Sequence, residues 1–301
     1  MNLQDKVKIT ADSCVDLDTQ KLEDNNISVA FLSTIDNTTN KIYKDGELSN
    51  EELFSLFEQG HKITTSCPSY FEYTELFKKY LKEYEKIVHY NISSELSGSY
   101  ELAKAASEEI DPKRIEVIDT KQPSLGIAIN VLNAVQYLKE MSNFNKFIET
   151  TKSEVSRTEL TVILDTAKYV FLGGRLQKIL GPSIGGRLDK TAEYGTNIAE
   201  KFNIRYFVDI EEGKIVMKKI AKGNTLKLAT HHFKAILDDI KNIDLKRIMF
   251  GTTGDINNLD KIVKAIPITD QMDNIDYAEI GPTVATHGGP KALALSYIKK
   301  L

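Results

Sequence analysis

Cysteine is scarce in this chain: two, Cys14 and Cys67, among 301 residues. That excludes a disulfide framework and a cysteine-built zinc site, and the expected location is a reducing cytoplasm. No run of about 18 apolar residues occurs, so no membrane-spanning helix is expected. The opening "MNLQDKVKIT" lacks the basic and apolar stretches of a secretory signal. Charge of one sign is lacking too: 39 Lys and Arg face 43 Asp and Glu, a net charge of −4, with both signs interspersed. A nucleic-acid partner, which needs a basic stripe, is not expected. Nor is there a low-complexity tract or a repeat of roughly 20–50 residues.

Catalytic and cofactor motifs are equally absent. There is no G-x-x-x-x-G-K-[ST] loop, no G-x-G-x-x-G after a strand, and no H-E-x-x-H or other metal spacing. No G-x-S-x-G elbow occurs. The stretch "LGGRLQKILGPSIGGR" is rich in glycine but fits neither phosphate-binding pattern. The expectation is therefore no resident cofactor, no metal and no catalytic residue.

What is present is alternation. "KVKITADS" reads as a strand, "VDLDTQKLEDN" as a helix and "ISVAFLSTI" as a second strand. "DNTTNKIYKDGEL" is a polar excursion with a turn at Asp45-Gly46. "SNEELFSLFEQG" is a helix capped by Ser49 or Asn50 and stopped at Gly60. A further helix opens with Pro68 at its first position. "KIVHYNI" and "RIEVIDT" are buried strands, each followed by a helix. Strands alternating with helices predict a parallel, doubly wound sheet. Beyond residue 156 the pattern becomes α+β. "TELTVILDT" is a strand, "FNIRYFVDIEEGKIVMKKIAK" is a hairpin turning at Glu212-Gly213, and helices and strands follow. The chain is expected to end as a strand, "YAEIGPTVA", then the loop "THGGP", then an amphipathic helix, "KALALSYIKKL". The expected domains are 1–156 and 157–301.

Candidate ligand groups sit where strands end. They are Asp12-Ser13, "TTS" at 64–66, Ser93-Ser94 and Asp119-Thr120, joined from the second half by His287. Ligands of open α/β sheets bind beyond the carboxyl ends of the strands, and helix N-termini there favour anions. A hydroxyl before a helix is ordinarily only a cap, and Ser97 and Ser124 are read so. "TTS" and "ISSELS" carry more hydroxyls than one cap needs. His287 is either incidental or a ligand group; His61, His89, His231 and His232 have no comparable setting. Neutral hydroxyls and an imidazole, with little Lys or Arg, suit a carboxylate better than a phosphate. The helix after Pro123 is apolar nearly all round, which fits either a core helix or the wall of an apolar slot.

These junctions carry a pattern that resembles the DegV family. The matching segments are "ITADSCVDL", "YKDGELSNEEL", "TTSCPS", "ISSELSGSYELA", "VIDTKQPSLG", "YVFLGGRLQK" and "IGPTVATHGGPKALAL", in family order along nearly the whole chain. Members look like the fatty-acid-binding subunits of bacterial fatty acid kinase. The resemblance implies an α/β fold of two domains: a parallel-sheet, Rossmann-like N-terminal domain that binds lipid and an α+β C-terminal domain. A long-chain fatty acid would lie in an apolar tunnel in the first domain. Its carboxylate would be held by Thr65 or Ser66, by Ser93 or Ser94, and by His287. Gly173, Gly174 and Arg175 would lie near the head group and a docking surface for a separate ATP-dependent kinase, which makes the acyl phosphate; Arg187, in a second "GGR", is the rival to Arg175. Transient contact with a membrane surface fits such a carrier. The sequence departs from the family at Cys67, where glutamine is usual, and at Thr253, where histidine is common. Two other readings stay open: a stand-alone acyl hydrolase or transferase using Ser94 and His287, and a carrier of another amphiphilic acid.

Overall fold

The computed structural model describes residues 3–172, 202–267 and 271–301. In the first half, β1 (Val7–Asp12), β2 (Ile27–Ala30), β6 (Lys86–Asn91) and β7 (Ile115–Asp119) form a four-stranded sheet. Its order is β2-β1-β6-β7 and every pairing is parallel. Helices cover both faces, so the strands need no polar side; all six residues of β1 are buried. One face packs on α3 (Tyr70–Tyr80) and α4 (Ser99–Ile110) through Tyr73, Phe77, Ala103 and Ala106. The other packs on α5 (Leu125–Glu140), after which α6 (Phe144–Val155) closes the half.

The expected second strand, "ISVAFLSTI", is two strands in two sheets. β2 pairs with β1, whereas β3 (Ser33–Asp36) joins β4 (Lys41–Lys44) and β5 (Ile63–Ser66) in an antiparallel sheet ordered β4-β3-β5. The break is stabilised by the Leu32 amide, which donates to Ser13 Oγ at 2.9 Å instead of continuing a ladder. β4 comes from the excursion read as merely polar. Helix α2 (Asn50–Glu58) starts as expected, at Ser49 with a complete capping box to Glu52. Pro68 does not open α3. Ser69 is the cap, exchanging hydrogen bonds with Glu72, so Pro68 stays outside the helix.

The second half holds a six-stranded mixed sheet in the order β10-β9-β8-β13-β11-β12. Its strands are β8 (Thr158–Leu164), β9 (Ile204–Glu211), β10 (Lys214–Lys222), β11 (Ile248–Thr252), β12 (Ile275–Glu279) and β13 (Leu293–Ile298). Among the described residues its α-helices are α7 (Lys168–Leu172), α8 (Thr225–Leu237), α9 (Asn257–Lys264) and α10 (Pro282–Gly288). Only the β11–β12 pairing is parallel. The β9–β10 hairpin turns at Glu212-Gly213 as expected, with φ of 48° and 81° at the two positions, the left-handed pair a tight hairpin requires.

The chain does not end in a helix. "LALSYI" is β13, an interior strand between β8 and β11. The helix is instead "PTVATHG", with Pro282 in its first turn, so His287 sits in the last turn of α10 and not between a strand and a helix. Leucines and alanines at alternate positions fit a strand buried on both faces as readily as a helix. Leu293 and Leu295 face the core with α8 and α9, while Ala294 faces the first half.

Helix α5 is apolar all round because it lies between the two large sheets. Its side chains share one core cluster with Val7 and Ile9 of one sheet and Leu160, Met249 and Ala294 of the other. Gly251 on β11 permits the close approach: a Cβ there would stand 2.8 Å from Leu125.

Candidate functional site

Beyond the carboxyl ends of the parallel strands, between the two large sheets, lies a cavity of about 440 Å³. Its apolar wall is drawn chiefly from the second half: Leu160, Val162 and Leu164 on β8, Val208 and Ile210 on β9, and Ala294 on β13. The expectation had put the apolar tunnel in the first half. Parallel-sheet geometry explains the difference, because that sheet offers the cavity only its loop ends, such as Cys14, Ile92 and Pro123.

Polar groups join the apolar lining. Thr65 Oγ1 and His287 Nε2 are 3.0 Å apart. Ser66, exposed at the mouth, donates its hydroxyl to the Cys67 carbonyl at 3.1 Å. Thr283 lines the cavity one helical turn before His287, on the same face of α10. Ser97 and Gly98 line the cavity at the start of α4, where Ser97 Oγ accepts from the Ser99 amide at 3.2 Å. No Lys or Arg is among the described residues lining the cavity. Burial pushes the half-buried Cys67 thiol up from its ordinary value, so it stays protonated and is not an activated nucleophile.

Two carboxyls grip the start of α10. Asp16 Oδ1 accepts from the Gly281 amide at 2.9 Å, and its other oxygen is bonded to the Ser124 hydroxyl. Ser124 occupies the N-cap position of α5 as expected, but its hydroxyl goes to Asp16 and makes no bond to the helix. Asp45 accepts from Ser13 at 2.5 Å and from the Thr283 hydroxyl. Burial pushes both carboxyls up, Asp16 far up with the charges of Asp45 and Glu279 adding to the effect. At the other end of α10, Thr253 Oγ1 donates to the Gly289 carbonyl at 2.6 Å and accepts from the Ala292 amide at 2.9 Å. Gly289 is needed twice over: its φ is +73°, and a Cβ would stand 2.6 Å from the Tyr169 ring.

Ser93 and Ser94, the alternatives expected at the carboxylate, have other partners. Ser93 is fully buried and donates to the Gly213 carbonyl at 2.8 Å, pinning the β9–β10 turn to the first half. Ser94 donates to Asp119 Oδ2 at 2.5 Å and accepts from Lys121 Nζ at 3.0 Å. Neither lines the cavity. Gly173, Gly174 and Arg175, with the rival Arg187, lie outside the described residues. Thr65, Ser66 and His287 are thus the expected groups that the fold brings together. Thr283 was missed, although Pro282 followed by Thr283 and His287 at helical spacing is a readable signal.

The model for the DegV family matches residues 6–300. The chain belongs to the DegV family. A DegV domain-containing protein of Caldanaerobacter subterraneus subsp. tengcongensis is 28% identical over 301 residues, covering 98% of this chain and 100% of that one. Among solved structures, a DegV family protein from Thermus thermophilus, described for its fatty acid binding, superposes with a TM-score of 0.80 at 23% identity. That match covers 98% of this chain and 100% of the other. A DegV family protein from Eubacterium eligens loaded with heptadecanoic acid gives 0.78 at 19% identity, covering 98% and 100%. These likenesses show the DegV fold: a parallel sheet in one part and a separate mixed sheet in the other. Among the described residues, no group of three His, Cys, Asp or Glu is placed to hold a metal. No described helix is long and apolar enough to cross a membrane.

Proposed function

We propose that this DegV chain binds a long-chain fatty acid in the inter-sheet cavity and presents its carboxylate to a separate ATP-dependent kinase, which forms the acyl phosphate. The observation that carries the reading is the cavity's polarity. An aliphatic wall is joined by an imidazole and hydroxyls, with no described cation to demand a phosphate. Leaving an acyl tail in water costs about 0.8 kcal/mol per methylene, so a carrier that buries the tail and keeps the head near the surface solves delivery. Solved relatives carrying fatty acids support the same reading. In this proposal Thr65 and His287 hold the carboxylate, Ser66 lies at the mouth, and Ser93 and Ser94 act in the scaffold.

The division into domains is proposed at 156/157, between α6 and β8. Arg175 is proposed to act near the head group or at the kinase surface. The protein is taken to work in the cytoplasm, with brief visits to membrane surfaces for lipid exchange. A hydrolase using Ser94 and His287 is disfavoured, since Ser94 is committed to Asp119 and Lys121. Mass spectrometry of lipid extracted after mild purification tests binding, and a C14–C18 acid is expected. Addition of the partner kinase and ATP tests presentation: acyl phosphate is expected with both proteins and with neither alone. An ester hydrolysed by this protein alone would overturn the reading.

A further inference from the structure

We infer that Leu160, Ile210 and Ile215 form the stop that sets the length of acyl tail the cavity accepts. This rests on the fatty-acid reading above. The register of the mixed sheet arranges the apolar wall in rungs. Val162 stands opposite Val208 on one side and Ala294 on the other. Two residues along β8 in one direction is Leu164, which clusters with Val170 and Ala292. That rung lies at the His287 end, because Gly289, two residues after His287, abuts Tyr169 beside Val170. Two residues along β8 in the other direction is Leu160, and two along β9 is Ile210, which stands opposite Ile215 on β10. Side chains two apart on a strand share a face, so this is the rung remote from His287.

The first half closes the same end. Ile92 and Leu96 line the cavity and share the core cluster of Leu160 and Ile210. Just past them the hairpin tip is fastened to the first half by Ser93 on Gly213 at 2.8 Å and by Lys214 with Glu95 at 3.6 Å. A tail running from His287 along β8 therefore meets a wall there. Rungs two residues apart are about 6.7 Å from each other, so the first and third are roughly 13 Å apart. An extended hydrocarbon with bonds of about 1.5 Å advances roughly 1.3 Å per carbon, so about ten carbons fit in a straight run. Longer tails are accommodated by bending, and the bulk of the last rung decides how many carbons remain. The small residues Ala292 and Ala294 widen the first two rungs; in the third, Ser296 on β13 stands opposite Leu160, and the bulk comes from Leu160, Ile210 and Ile215.

The test uses delipidated full-length protein, an equimolar mixture of straight-chain C12–C20 acids, and mass spectrometry of what is retained. Ile215 is half-buried, so Ile215→Ala and Ile215→Phe are expected to fold; Leu160→Ala is the deeper variant, checked by thermal melting. The alanine variants are expected to shift the retained distribution toward acids about two carbons longer, matching the volume removed. Ile215→Phe is expected to shift it shorter. A wild type that retains acids, with all folded variants retaining the same distribution, would overturn the stop and leave the binding reading standing. A wild type that retains none of the mixture would overturn both.

Discussion

Thr65 and His287 stand 222 positions apart in the chain and meet at 3.0 Å across the end of the cavity. β5 supplies one from the small antiparallel sheet, and α10 supplies the other from the second half. If this pair holds a carboxylate, each partner contributes a hydrogen bond to a charged group, about 1.5–3 kcal/mol. His287→Ala and Thr65→Val are each expected to weaken binding of a C16 acid by about 10- to 100-fold, measured by fluorescence competition. Binding of the C16 alcohol, which lacks the charge, is expected to change far less. Equal losses for acid and alcohol would show that the pair shapes the cavity and does not read the carboxylate. The double variant is expected to lose less than the sum, since the two groups act on one ligand.

Ser93 and Ser94 give the complementary test. Ser93→Ala and Ser94→Ala are expected to leave acid affinity within about twofold. Ser93→Ala is nevertheless expected to cost about 1–2 kcal/mol in urea unfolding, because it leaves the carbonyl of the buried Gly213 without this bond. Gly213→Ala is expected to cost more: its φ is +81° and a Cβ would stand 2.5 Å from Ser93 Oγ. A large affinity loss in Ser93→Ala with unchanged stability would return this residue to the site.

Much of the architecture was readable because it rests on local rules. The parallel strands announce themselves by alternating with helices, α2 by its capping box, and the β9–β10 turn by Glu-Gly. The failures share a cause: tertiary partners that a single segment does not display. "LALSYI" has a leucine face and an alanine face, and only the neighbours β8 and β11 make it a strand. "ISVAFLSTI" splits because the Ser13 hydroxyl reaches Leu32 from another segment. At the cavity, residue type and junction position single out Thr65, Ser66 and His287, which the fold brings to its lining. Ser93 and Ser94 look identical by those criteria; Ser93 is taken up by a hairpin 120 residues later in the chain, and Ser94 by Asp119 and Lys121.

Asp36 sets an acid limit on the small sheet. Burial works against its carboxylate, but hydrogen bonds from Thr39, His61 and the Thr38 amide outweigh it and hold the pKa at about 2. His61 Nδ1 is 2.7 Å from Asp36 Oδ2. A depressed carboxyl contributes stability that is complete above the unfolded value of about 3.9 and is lost as pH falls through the folded value. Melting of the wild type is therefore expected to drop between about pH 4 and pH 2. Asp36→Asn is expected to start lower and to fall less across that window. Parallel curves for the two proteins would rule this contribution out.

Asp16 is expected to show the opposite sign. Burial pushes its carboxyl well above the ordinary range, opposed by bonds from Ser124 and the Gly281 amide and reinforced by Asp45 and Glu279. The native state thus holds a proton that the unfolded chain has released. Its stability contribution is complete below the unfolded value of about 3.9 and is lost as pH rises toward the folded value. Asp16→Asn keeps a carbonyl for the Gly281 amide and an amide for Ser124, without a charge to bury. Between pH 5 and pH 8 the wild type is expected to lose melting temperature relative to this variant, the gap widening with pH. Because Asp16 holds the start of α10, the variant is also expected to keep acid affinity at pH 8. A gap that stays constant with pH would show that the native state holds no extra proton on Asp16 in this range. An affinity loss in the variant at both pH values would show that the carboxyl, and not merely its hydrogen bonds, positions His287.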